Sequence, residues 1–310
     1  MNLQPSPKRP FYAKPWLPYK DQAALLASRG LTIANAAAAE AFLSHVNYYR
    51  FSGYCLAFEK NRHAFLPGVT FDDIQAAYAF DASLRDLLNE SLEVIEIDIR
   101  CCLAYHFGQK HGAFGHIDPG KFIQNIHQFD HAEWLNRLHE EIDRSSELFV
   151  KHFRRTYVEY PDLPIWVLTE LMSFGTLTRM YRGMNKPDQR AVSNRYRIQA
   201  GDFGTILLHL VYVRNLCAHH SRLWDRPWSV RPVLPRGNSW QPPYVPSNER
   251  PFSTLLLSYY LLKNCAAVNT FATEWRDRLH GLLAHLPNTP VALTKLGMPA
   301  DWKKNPIWTS

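Results

Sequence analysis

Residues 70–111 read TFDDIQAAYAFDASLRDLLNESLEVIEIDIRCCLAYHFGQKH. Ile74, Tyr78, Leu88, Leu92, Ile95, Ile99, Cys102 and His106 recur at spacings of three and four, the period of an amphipathic helix. A polar turn at Asp81 and Arg85 interrupts the stripe. Thr70 with Asp73 three residues on forms a candidate capping box, and Gly108 and Gly112 are expected to end the helix. About nine turns would span roughly 50 Å. A helix of that length sets the architecture, and no strand-like alternation elsewhere competes with it. The fold class is all-α.

Outward from this stretch the helical period continues. Asp21–Arg29 reads as a short helix stopped by Gly30, and Ala36–Phe51 as a second. Downstream, helices are expected over His131–Tyr157, from Pro164 through Met172 with a kink at Gly175, and over Asp188–Arg197. Another is capped by Asp202 and ends near His220, and one or two lie within Ser253–His285. Proline marks the breaks: of 21, five lie in residues 1–20, seven in 227–251 and four in 287–310. The expected organisation is an extended arm (1–20), a helical region (21–226, core about 70–226), a Pro-rich loop (227–252), C-terminal helices (253–286) and an irregular tail (287–310).

Composition narrows the function. With 46% hydrophobic and 20% charged residues the chain is not disordered in bulk. A net charge of +7 favours a polyanionic partner, nucleic acid before an anionic membrane. The apolar stretches Phe203–Val213 and Leu255–Leu262 fall short of the roughly 18–20 residues a membrane span needs, so no membrane partner is expected. The start MNLQPSPKRPFY has no apolar run, so no secretory leader is expected. Five cysteines without a C-x-x-C pair suggest reduced thiols in a cytoplasm. No cofactor and no metal is expected. Gly-rich phosphate loops, G-x-S-x-G and H-E-x-x-H are absent. His127 and His131 lack a third ligand, and Cys217, His219 and His220 stand too close on one helix to converge on an ion.

Two clusters carry candidate chemistry. In NYYRFSGY (47–54), Tyr49 and Arg50 could stack on unpaired bases and touch phosphate, or pack the end of a helix. In VYVRNLCAHHSRLW (211–224), an apolar helix ends in Arg214, Asn215, His219, His220 and Arg222. Asn215 and His219, four apart, share a helix face, while Arg214 and His219 lie about 140° apart around the axis and can flank a groove. The residue types suit RNA cleavage: histidine titrates near neutrality and can move protons, whereas arginine stays charged and matches phosphate oxygens. The same residues would also meet a helix dipole favourably as a cationic cap. On the residues alone both readings stand.

The chain resembles the Abi-type abortive-infection proteins, AbiD/AbiF-like, of the HEPN ribonuclease superfamily. NYYRFSGY (47–54), FDASLRDLLNESLEVIEIDIR (80–100), SSELFVKHF (145–153), PIWVLTELMSFGTL (164–177) and RNLCAHHSRLW (214–224) carry the resemblance in the family's order, over most of residues 20–226. It implies a HEPN-like helical bundle with an N-terminal helical elaboration. It also implies a metal-independent endoribonuclease acting in phage defence or as the toxin of a toxin–antitoxin pair. Arg214 and His219 match the family's R-x-x-x-x-H motif, with Asn215 at the polar position after the arginine. One motif per chain fits a homodimer with a composite site.

His220, Arg222 and Arg100 are secondary candidates, and Arg50 and Tyr49 weak RNA-binding ones. Arg100 either pairs with Glu96 one turn earlier or lines the cleft. Glu170 is expected to accept from a buried arginine, Arg50 or Arg100, and His152 to pack in the core. The expected partners are an RNA substrate and a neutralising small RNA or protein. The alternatives are a non-catalytic RNA-binding module and a helical protein-interaction scaffold.

Overall fold

The computed structural model describes residues 11–123, 129–245, 247–265 and 269–309. His127 and residues 1–10 of the expected arm lie outside them. Among the described residues thirteen α-helices and one two-stranded hairpin make up the regular structure, apart from short 3-10 turns. The chain divides into two units, residues 1–79 with 287–289, and residues 80–286 with 290–310.

The first unit contains α1 (Tyr19–Ser28), α2 (Ala36–His45), α3 (Tyr48–Cys55), the hairpin β1 (Glu59–Asn61) and β2 (Ala64–Phe65), and the first turns of α4 (Phe71–His111). Gly30 follows α1 at φ +94°, a left-handed stop that glycine adopts without strain. The expected single helix over Ala36–Phe51 is two. Val46 is extended, and the Asn47 side chain accepts a hydrogen bond from the Tyr49 N–H at 2.7 Å, so asparagine restarts the helix. Phe51 stacks on Phe71 with centroids 4.7 Å apart, and Phe42 meets both rings edge-on. The capping box forms: Thr70 and Asp73 exchange side-chain to backbone hydrogen bonds at 3.1 and 2.9 Å.

The second unit takes the rest of α4 together with α5 (His131–Arg144), α6 (Leu148–Thr156), α7 (Ile165–Leu171), α8 (Phe174–Gly183), α9 (Lys186–Ser193) and α10 (Ala200–Ala218). After a long segment with little regular structure come α11 (Pro251–Asn264), α12 (Asn269–Leu283) and α13 (Ala292–Leu296). On α4, Leu84, Leu88, Leu92, Ile95, Ile99, Leu103 and Phe107 are wholly buried. Each such side chain contributes about 1.5–3 kcal/mol of burial, which makes α4 the spine of this unit. The helix runs through Gly108, where a Cβ would stand 3.2 Å from Ile165, and stops at His111 before Gly112 at φ +77°.

Two more expected helices divide. His131–Tyr157 breaks at an extended Ser145. The helix begun at Pro164 breaks at Met172, because the Ser173 hydroxyl accepts the Thr176 N–H at 3.1 Å and caps a new helix; Gly175 lies inside it. Asp118-Pro119, which could open a helix, forms only a 3-10 turn. The tail is packed: Trp302 and Trp308 are buried, and the Trp308 carbonyl accepts from Arg276 of α12 at 3.2 Å.

His209 of α10 joins three segments. One ring nitrogen meets the Val230 carbonyl at 2.7 Å and the other meets the Thr254 hydroxyl at 2.8 Å. Burial holds its imidazole down at about 4, opposed only partly by the Val230 carbonyl, so it is neutral in the fold.

Candidate functional site

α10 buries Phe203, Ile206, Leu207, Leu210, Val213 and Cys217, and this apolar face fixes the helix along its whole length. Its last turn then turns outward: Arg214, Asn215, His219 and His220 are all exposed. The end is a Schellman motif. The His220 N–H donates to the Cys217 carbonyl at 2.9 Å and the Ser221 N–H to the Leu216 carbonyl at 2.8 Å. The left-handed position of that motif, usually glycine, is His220 at φ +52°. His219 is the cap itself, its N–H donating to the Asn215 carbonyl at 3.0 Å.

The chain leaving this end is clamped from below. Asp81 of α4, wholly buried, accepts the Leu223 N–H at 3.1 Å and the Trp224 N–H at 2.6 Å. Its other oxygen pairs with Arg85 at 2.5 Å. The polar turn in the α4 stripe is therefore an anchor set into the core, and its ligands are the backbone amides just past the histidines. Leu223 and Trp224 are themselves buried, so the segment from Ser221 to Trp224 is held by amides and side chains together. Arg222 is half-buried, and its carbonyl accepts from Arg226 at 2.6 Å.

Arg100 is held rather than free to reach. It donates to Glu96 at 2.8 Å and to the Met172 carbonyl at 3.0 Å, and stands 3.8 Å from Glu170. Of the two roles open to it, the pairing with Glu96 is present. Glu96 also links it to the motif. Burial lifts the Glu96 carboxyl above its ordinary value, and the charges of Arg100 and then Arg214 pull it back. One half-buried carboxylate thus lies within electrostatic reach of both arginines. Of the two arginines expected as partners of Glu170, Arg100 is the one that stands beside it, as an ion pair at 3.8 Å, while Glu170 itself is mostly exposed on α7. His152 is also exposed, resting edge-on against Tyr157 at 5.8 Å, because α6 buries only Val150.

Tyr49 and Arg50 belong to α3 in the first unit; Tyr49 is exposed and Arg50 half-buried. His131 meets the His116 carbonyl at 2.8 Å. Among the described residues no three His, Cys, Asp or Glu side chains gather as metal ligands, and no helix is long and apolar enough to cross a membrane. Asp81, Arg85 and Glu96 escaped the reading of the sequence as parts of this site. The signal for the first two was present: an acid and a base four apart, occupying positions where the stripe demands apolar residues.

The family model of the Abi-like proteins matches residues 41–225, from α2 through the motif and the clamped loop. The chain belongs to the Abi-like protein family. Membership suggests an abortive-infection role, that is, phage defence. The match takes in both Asp81 and the Arg214–His219 segment, and ends beside Trp224. No curated protein and no solved structure matched the chain.

Proposed function

We propose that this Abi-like chain is a metal-independent endoribonuclease of the HEPN type, an effector that cleaves RNA at a site shared by two copies. The observation that carries the reading is the exposure of Arg214, Asn215 and His219 together on a helix end whose apolar face is buried and whose following segment is clamped by Asp81. A rigid mount for an imidazole and a guanidinium is what acid–base chemistry on a phosphodiester needs.

In the proposed reaction the ribose 2′-oxygen attacks the adjacent phosphorus. His219 takes the 2′-hydroxyl proton as the new P–O bond forms. The P–O5′ bond breaks, and the departing oxygen receives a proton from His219 of a second copy. Arg214 faces the charge that builds on the phosphorane oxygens, and Asn215 orients the imidazole or the phosphate. The products are a 2′,3′-cyclic phosphate and a 5′-hydroxyl. His220 and Arg222 stay secondary, and Arg100 acts by holding Glu96 near Arg214. Restraint of such an effector would come from a neutralising small RNA or protein.

The test is incubation of the pure chain with single-stranded RNA in EDTA, followed by mapping of the ends. Arg214→Ala and His219→Ala should each slow cutting by about 10²- to 10⁴-fold. Cutting at the parent rate by either variant overturns the assignment.

A further inference from the structure

Positive charge is concentrated at the start of the chain. Residues 1–66 carry eight Lys and Arg against Asp21, Glu40 and Glu59, so five of the seven net positive charges fall in about a fifth of the sequence. The fold of the first unit gathers part of it. The Phe65 N–H donates to the Arg29 carbonyl at 3.0 Å, which ties the hairpin to the end of α1. Arg29 in turn donates to the Tyr48 hydroxyl at 2.9 Å, which brings the start of α3 to the same place. Lys60, Arg62 and His63 are exposed at the hairpin, with His63 turned outward at φ +67°. What little burial His63 has, then the charges of Arg29, Arg62 and Lys14, lower its basicity against the opposing pull of Glu59. Lys14 of the arm therefore lies within electrostatic reach of the hairpin.

The same unit also leaves aromatic rings in water. Phe11, Tyr12, Trp16 and Tyr49 are each at least 85% exposed. The foot of the arm is fixed where Gln22 donates to the Leu17 carbonyl at 2.8 Å. Large apolar rings left exposed in a group mark an interaction surface. Rings interleaved with Lys and Arg match a strand that offers phosphates and bare base faces.

We propose that this face of the first unit grips single-stranded nucleic acid, with phosphates on Lys14, Lys60 and Arg62 and bases stacked on Tyr12, Trp16 and Tyr49. The grip is independent of cleavage at Arg214 and His219. It uses phosphate and base faces only, so RNA and DNA strands both fit it.

The experiment uses the full chain carrying His219→Ala and follows fluorescence anisotropy of labelled twelve-residue uridine RNA and thymidine DNA from 50 to 200 mM salt. Lys14→Ala with Arg62→Ala should flatten the log–log salt slope by about 1.4, near 0.7 for each lost phosphate contact. Trp16→Ala should weaken binding about tenfold with the slope unchanged, as loss of stacking requires. All three side chains are exposed, so the melting temperature should not move and misfolding is separable. Unchanged affinity and slope in both variants overturns the proposal. So does duplex RNA bound as tightly as single strands, or loss of binding to phosphatidylserine vesicles without loss of binding to oligonucleotides. A chain that cuts nothing yet shows these shifts keeps the grip and loses the nuclease; the reverse outcome does the opposite.

Discussion

Replacing Asp81 by alanine should be among the most damaging single changes available to this protein. The carboxylate is wholly buried, and its partners include the Leu223 and Trp224 amides and the Arg85 guanidinium. Alanine leaves two buried N–H groups without that acceptor, at about 1–3 kcal/mol each when unsatisfied. It also removes the carboxylate paired with Arg85, which is 7% exposed. Breaking a buried pair by removing one partner costs about 3–5 kcal/mol. These penalties overlap, and relaxation of the loop relieves part of the first, so the net loss should be about 3–5 kcal/mol. For a unit of this size that lowers the melting temperature by roughly 6–20 °C. Asp81→Asn keeps an acceptor oxygen but no charge and should fall between the parent and alanine. Circular dichroism melting gives the stability. Hydrogen exchange of peptides spanning residues 214–228 gives the local effect, with faster exchange at Leu223 and Trp224. A loss below about 1 kcal/mol with unchanged exchange would refute the anchor and, with it, the idea that α4 holds the motif in place.

Two further outcomes follow from the same geometry. His220→Gly removes a β-carbon from the left-handed position of the Schellman motif and should stabilise the chain by about 1 kcal/mol, read as a rise in urea midpoint at constant slope. A fall in midpoint would mean that contacts of the imidazole outweigh the backbone strain. Acid should weaken the second unit through His209 and His116, each held at about 4, chiefly by burial, against an ordinary value of 6.5. The unfolded chain binds protons more readily between these values, so stability falls as pH drops from 6.5 toward 4. Each histidine should remove about 2 kcal/mol at pH 5 relative to pH 8. His209→Gln should flatten the urea midpoint against pH over that window, and an unchanged profile would show that the ring is not neutral in the fold.

Much of the fold was legible because helices are local. The three-to-four spacing over residues 70–111 marked α4, and Thr70 and Gly30 marked ends that the chain obeys, whereas the proline zone 287–310 holds the short helix α13. Side-chain caps were the weak point. Asn47 and Ser173 can sit in a helix or start one, and the choice depends on whether the residue before them is pulled into extended geometry by packing elsewhere. The hairpin at residues 59–65 was invisible for a related reason. Its strands are three and two residues long, and its position depends on a bond to the Arg29 carbonyl thirty-six residues before Phe65. The candidate site divides in the same way. Arg214, Asn215 and His219 announce themselves as polar residues ending an apolar run. The long-range contacts of Arg100 and Asp81 do not, because the partners concerned, Met172 and the Leu223 and Trp224 amides, lie 72, 142 and 143 residues away.

By itself, the order of residues determined that this chain would be helical, how long its central helix would run, and which polar side chains would end α10. Those are properties of neighbours within a turn or two, where spacing translates directly into a face. Tertiary structure alone decided that Asp81 and Arg85 would be buried rather than solvated, that His220 would carry a left-handed turn, and that Lys14 of the arm would come within electrostatic reach of His63 at the hairpin. A charge in an apolar stripe is ambiguous until distant amides arrive to satisfy it, and only the packed chain brings them there.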